Sequence, residues 1–200
     1  MPTDTFFRLP EEKRQRLTRA VCRELSRVPF SEYSINRVVQ DANIPRGSYY
    51  QYFESRDDVF SYVASSFRDD MAKALSKLLE KHGGDIFLAI PELYDSAVEY
   101  LLAQENMQFV RNIVSESRQR GFLPPPVHGA SGCFPLPAEL DAKLLAAESE
   151  DECREILLIV SGVFGGAMMA TLEGLPASAV RARLTRSLEW LQFGMRRKDA

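Results

Sequence analysis

Four residues in one short stretch are suited to reading a polyanion. Arg46, Gly47 and Ser48 are adjacent, and Tyr50 follows near one helical turn onward. An arginine at such a place can fork to guanine O6 and N7. A glycine there lets backbone approach a duplex closely. A serine can donate to a base edge or a phosphate, and a tyrosine can lay its ring on a thymine methyl while its hydroxyl reaches a phosphate. Tyr52 and Arg56 stand further on, where backbone phosphates would pass. Ser34, with the free N–H groups of a helix start, makes a second phosphate anchor.

No comparable set points to bond making. No Ser/His/Asp set, phosphate-binding glycine loop or paired carboxylates stand together. His82 precedes Gly83-Gly84, a helix stop where a cation is favourable. His128 and Cys133 share a Pro/Gly segment, but two ligands do not make a metal site. Cys22, Cys133 and Cys153 are an odd number at no metal-like spacing, which fits reduced intracellular thiols. The expectation is a non-enzyme with no catalytic residues, no metal and no cofactor.

The groove-reading residues need a rigid frame, and the spacing predicts one. Pro10 opens a first helix with Leu17, Ala20, Val21, Leu25 and Val28 on one face. Ser34 stands as N-cap of a short helix holding Ile35, Val38, Val39 and Ala42. Asn43 follows, a residue that tolerates a left-handed turn, and Ile44 plugs the core beneath it. A third short helix runs from about Pro45 to Tyr52, with Tyr49 and Phe53 inward. Ser55, Asp57 and Asp58 open a long fourth helix ending at Gly83-Gly84.

Helix then follows helix: 85–104, bent at Pro91, and from Asn106 to near Gly121. Residues 123–137, with five prolines and two glycines, form the one long irregular segment, a lid, pocket rim or disordered loop. A short helix over 138–147, a long apolar helix capped by Ser149-x-x-Glu152 and a last helix from Pro176 to about Arg197 complete the chain. No stretch alternates with period two, so the fold class is all-α.

Charge divides unevenly. Residues 1–56 hold ten Lys/Arg against seven Asp/Glu, a net +3, and the remainder holds −6. A basic head on an acidic body fits a polyanion partner for the head. Hydrophobic residues at 45% supply a sizeable core, no apolar run reaches the ~20 residues that cross a bilayer, and the first thirty residues lack a signal-peptide core. The expectation is a cytoplasmic protein with no membrane partner.

The run from Arg46 to Val59, Arg-Gly-Ser-Tyr-Tyr-Gln-Tyr-Phe-Glu-Ser-Arg-Asp-Asp-Val, resembles the recognition helix and following helix start of TetR-family transcriptional regulators. Gly47, Ser48, Tyr50, Tyr52 and Phe53 match that pattern directly, Tyr49 fills its inward aromatic or leucine position, and Arg56 keeps the charge of its lysine. Val59 stands for its leucine. Val39 and Asn43 depart from its usual alanine and glycine. The resemblance covers roughly residues 10–60, and beyond it only length and helical layout agree.

Further expectations follow from the resemblance. It implies a helix-turn-helix DNA-binding domain over 1–56 and a helical ligand-binding and dimerisation domain over 57–200. Residues 156–170 are apolar nearly all round and must be buried on every side, by this chain or by a second copy. Gly162, Gly166 and Ala170 at four-residue steps allow close approach, and Val180, Leu184, Leu188, Leu191 and Met195 form a stripe. The resemblance implies a homodimer through the last two helices, about 151–173 and 177–197, presenting two heads to a pseudo-palindromic operator. It also implies a cavity for a small hydrophobic effector among the middle helices. The candidates are Phe87, Tyr94, Tyr100, Met107, Phe109, Val110, Phe122, Phe164 and Met168. The function implied is a ligand-responsive repressor. The rivals are a helical protein-interaction scaffold without DNA binding and a small all-α enzyme acting on a hydrophobic substrate.

Overall fold

The computed structural model describes residues 1–103, 106–119 and 136–195; of Arg118 and Met195 it describes the backbone alone. Apart from the four-residue helix ahead of Pro10, each α-helix among them follows from a local signal, and none of these residues is in a strand. The helices are α1 (Asp4–Phe7), α2 (Glu11–Arg27), α3 (Ile35–Asp41), α4 (Arg46–Tyr52), α5 (Arg56–Lys81), α6 (Ile86–Leu102), α7 (Asn106–Gln119), α8 (Glu150–Leu172) and α9 (Ala177–Met195). Phe122, His128 and Cys133 lie outside the described residues, as does segment 123–137 apart from Leu136 and Pro137.

Two helix starts, those of α5 and α8, obey the expected chemistry. Ser55 and Asp58 form a reciprocal box at α5: Asp58 N–H donates to Ser55 Oγ at 3.2 Å, and Ser55 N–H donates to Asp58 Oδ2 at 3.0 Å. Glu152 N–H donates to the Ser149 side chain at 3.2 Å and opens α8. α6 carries Pro91 inside it and runs on without a break. The helix expected over 138–147 is a single 3₁₀ turn at Ala142–Leu144. Asp141 N–H goes to the Gly84 carbonyl at 3.2 Å, and the Asp141 carboxylate takes Lys143 N–H at 3.0 Å, so both are drawn away from a helical ladder. Gly84 must be glycine. Its φ is +83°, and a Cβ would fall onto the Asp141 backbone nitrogen.

The chain forms two compact units. The first takes Met1–Asp70 with Ala103–Leu123, and the second takes Met71–Leu102 with Pro124–Ala200. This partition differs from a division at 56/57. The first unit keeps the opening half of α5 and also recruits α7, because α7 packs along α2. Asn112 on α7 is buried and donates to the carbonyls of Leu25 at 2.7 Å and Val28 at 2.9 Å. Those carbonyls belong to the C-terminal end of α2, which has no intrahelical donor for them. One amide thus ties together segments 84 and 87 residues apart in sequence.

The core of the second unit gathers Leu79, Ile86, Phe87, Ile90, Tyr94, Ile156, Val160, Val180, Leu184 and Leu188. α9 therefore turns its Val180-Leu184-Leu188 stripe toward its own chain. What α8 and α9 leave outside is different: Ile159 is 43% exposed, Trp190 65% and Phe193 84%, with Gly162, Gly165, Gly166 and Gly194 also exposed. Against the expectation that no apolar run is long enough, α8 could cross a bilayer by length and composition, because its few charged residues sit at its N-terminal end; only 28% of its most apolar stretch is buried within this chain.

Candidate nucleic-acid interface

The first unit builds its recognition surface from the inside outward. Tyr33, Val38, Ala42, Tyr49 and Phe53 are buried together with Phe30, Phe60 and Val63. The hydroxyls of Tyr33 and Tyr49 meet at 3.2 Å in this interior. Burial pushes the Tyr49 phenol up to about 12 and raises that of Tyr33 still further above the ordinary tyrosine range. Asn43 makes the turn with φ +50°, as its place after Ala42 predicts. Ile44 is buried under it and donates its N–H to the Val39 carbonyl at 3.0 Å.

With one face of α4 committed to that core, the opposite face is outside. Arg46 and Gly47 are exposed, Ser48 is half-buried and Tyr50 is 48% exposed. Arg46 Nη2 donates to the Tyr50 hydroxyl at 3.3 Å, and its guanidinium lies 6.0 Å from the ring centroid. These i,i+4 partners are thus already paired in the free chain. A Cβ at Gly47 would meet nothing within 4 Å, and its φ lies outside the left-handed region. Neither packing nor backbone geometry in this chain requires a glycine there, although glycine in a helix costs roughly 0.5–1 kcal/mol against alanine. Arg56, the first residue of α5, is exposed as well.

Two expected contacts are placed differently. Tyr52 is 4% exposed and Lys13 Nζ stands 5.9 Å above its ring, so this residue belongs to the packed side of α4. Its position three residues after Tyr49, on the same helix face, carries that signal. Ser34 occupies the N-cap position of α3, but its side chain makes no capping bond. Its own N–H instead donates to Glu24 Oε1 at 3.1 Å. Glu24, on α2, is 1% exposed, with Arg37 Nη1 at 3.5 Å and Arg27 Nη1 at 3.9 Å from its carboxylate. Part of the expected anion anchor is thus filled by an internal carboxylate. Glu24 was missed as a structural residue, yet it falls seven positions after Leu17 on the buried face of α2.

The effector candidates fall in both units. Phe87 and Tyr94 are buried in the second unit, with Phe164 and Met168 half-buried against the same cluster. The Tyr94 hydroxyl is spent on Thr171 Oγ1 at 2.7 Å and the Ala177 carbonyl at 3.3 Å. Tyr100 is 46% exposed. Phe109 and Val110 are buried and Met107 half-buried in the first unit, on α7. An open recess of about 200 Å³ in the second unit is lined by Tyr94, Asp95, Val98, Ala177, Ser178 and Arg181. Of the eight candidates among the described residues only Tyr94 borders it, and an Arg181–Asp95 ion pair at 2.8 Å crosses its wall. No group of three or more His, Cys, Asp or Glu able to hold a metal occurs among the described residues.

No family model matches the chain. Over 72 residues it is 29% identical to an uncharacterized HTH-type transcriptional regulator, YdgC, of Bacillus subtilis (strain 168). That match covers 36% of this chain and 37% of the relative, so it spans little more than a third of the relative's length. A TetR family transcriptional regulator of known structure from Chloroflexus aurantiacus J-10-FL aligns over 99% of this chain and 100% of its own, with TM-score 0.45 and 20% identity.

Proposed function

We propose that this chain is a TetR-type transcriptional regulator that binds operator DNA as a homodimer and is released by a small hydrophobic effector. The observation that carries the reading is the outer face of α4. A forked cation, a glycine its own chain does not need, and an exposed tyrosine are held on a short helix by a fully packed inner face. That geometry suits a major groove, where a recognition helix presents its N-terminal residues to base edges. Arg46, Ser48 and Tyr50 read bases, Gly47 admits close approach, and Arg56 and the Ser34 hydroxyl reach phosphates. Tyr52 serves by packing.

The dimer reading rests on the second unit. Trp190, Phe193 and Ile159 are exposed beside helix glycines whose Cβ positions at 165, 166 and 194 are open. A second copy would cover these apolar surfaces on a two-fold axis and set two recognition helices one helical turn of DNA apart, ~34–36 Å. The effector reading rests on the apolar and methionine-bearing cluster around Phe87, Phe164 and Met168, a lining suited to flexible hydrophobic ligands. α5 gives residues to both units and is one covalent route by which a ligand could bias the heads. A cytoplasmic location goes with this function.

Selection from a random pool of duplexes tests it. The reading requires enrichment of an inverted repeat bound by two chains. A scaffold protein would enrich no sequence and retard no fragment. Recovery of the overexpressed chain in the membrane fraction would assign the uncovered face of α8 to lipid instead.

A further inference from the structure

The recognition helix is only seven residues long, and helices so short are unstable alone. Its order must come from what touches it. Its inner face is held by the core already described. Its C-terminal end is held by something the helical periodicity did not reveal, the stretch ahead of α2.

Thr3 supplies two donors to that end. Its hydroxyl donates to the Gln51 carbonyl at 2.6 Å and its N–H to the Tyr52 carbonyl at 3.0 Å. The Tyr49 carbonyl is taken by Phe53 N–H at 3.0 Å, so three of the carbonyls left over by a helix end are satisfied. Phe6 follows on α1 and is 0% exposed. Its ring lies 5.2 Å from that of Phe53 and 5.0 Å from that of Tyr62, and Phe53 is in turn 5.2 Å from Tyr49. The stretch is closed on itself by Phe6 N–H to the Thr3 carbonyl and Leu9 N–H to the Phe6 carbonyl. Arg14 of α2 holds its far side through the Phe7 carbonyl at 3.4 Å.

We propose that residues 2–9 form a strap that fixes the recognition helix, with Thr3 and Phe6 as positioning residues for DNA reading although neither faces the duplex. The proposal rests on the reading of α4 as the groove-entering helix. Its mechanism is preorganisation: base contacts form at full strength only if Arg46, Ser48 and Tyr50 are presented in one fixed pose.

The full-length chain tests this with Phe6→Ala, Phe6→Leu and Thr3→Val. Amide exchange is followed in the free protein, and affinity is measured for a duplex selected by the unaltered chain from a random pool. Phe6→Ala should speed exchange across residues 46–53 and weaken that duplex by about tenfold or more, since a buried aromatic is lost. The salt slope should stay unchanged, because the phosphate contacts keep their number. Phe6→Leu should recover most of the loss. Thr3→Val removes one donor without changing the core and should cost about fivefold in both readouts, the factor of one hydrogen bond. Exchange in α4 at the unaltered rate in both Phe6→Ala and Thr3→Val overturns the strap. So does acceleration spread equally over α7, which would mark general loosening. If α4 exchange rises as expected while the unaltered chain enriches no duplex, the strap stands and the DNA reading falls.

Discussion

The outer face of α4 and the outer faces of α8 and α9 are both uncovered, and both contain glycines that their own chain does not require. Their surroundings differ. Around Gly47 the groups are polar: an exposed guanidinium and phenol and a half-buried serine. Around Gly165, Gly166 and Gly194 they are Ile159, Trp190 and Phe193. Exposed hydrogen-bonding groups are satisfied by water until a polar partner replaces it. Exposed aromatics on this scale favour an apolar partner and mark interaction surfaces. On the proposed reading, two open faces of one chain take two chemically different occupants, a duplex and a second copy.

The largest effect is expected at the apolar face. Phe193→Asp places a charge where a second chain would pack, and the association constant of the dimer should fall by a hundredfold or more, as for a truncated hot spot. Sedimentation across a concentration series reads this directly. An unshifted mass profile would remove α9 from the interface. Arg46→Ala comes next, with a loss of ~1–3 kcal/mol against the selected duplex and relaxed preference at one base pair. Arg56→Ala should instead weaken all duplexes alike and lower the salt slope by about one. Equal effects of the two arginines on specificity would erase the division between base reading and phosphate anchoring.

A third effect separates the units by pH. Burial in the folded first unit keeps the Tyr49 phenol protonated up to about 12, above the ordinary tyrosine value of 10.0. The folded phenol is raised, so its contribution is fully present below pH 10 and is lost as pH climbs toward 12. Thermal unfolding of the first unit should therefore fall across that window with a slope of up to about 1.4 kcal/mol per pH unit for each such tyrosine. Tyr49→Phe should flatten the fall. A melt insensitive to that substitution throughout the window would show that the buried phenol does not set alkaline stability.

The sequence made the local parts of this molecule legible. The turn at Asn43, the Ser55–Asp58 box and the Ser149 cap each depend on residues within three or four positions, where side-chain chemistry dictates backbone geometry. The outward set Arg46, Gly47, Ser48 and Tyr50 followed from the inward set by helical period alone. Other features depend on partners far away in the chain. Asn112 meets α2 across more than eighty residues, and no local pattern announces it. Thr3 and Phe6 act on α4 across nearly fifty, from a helix of four residues too short to show a period. Glu24 and Tyr52 were legible in part, since both share a face with buried neighbours, but a carboxylate is rarely buried without a partner and Tyr52 was expected to meet phosphates. The grouping of α7 with the first unit is likewise a tertiary fact.

Gly47→Ala tests the central claim most directly, because it separates fold from function by sign. The free chain has room for the methyl group, and alanine favours a helix by about 1 kcal/mol over glycine. The account predicts a higher melting temperature for the first unit together with weaker binding to the selected duplex. A variant that melts higher and binds that duplex as tightly as before would contradict it, since the surface at α4 would then have no close-fitting partner.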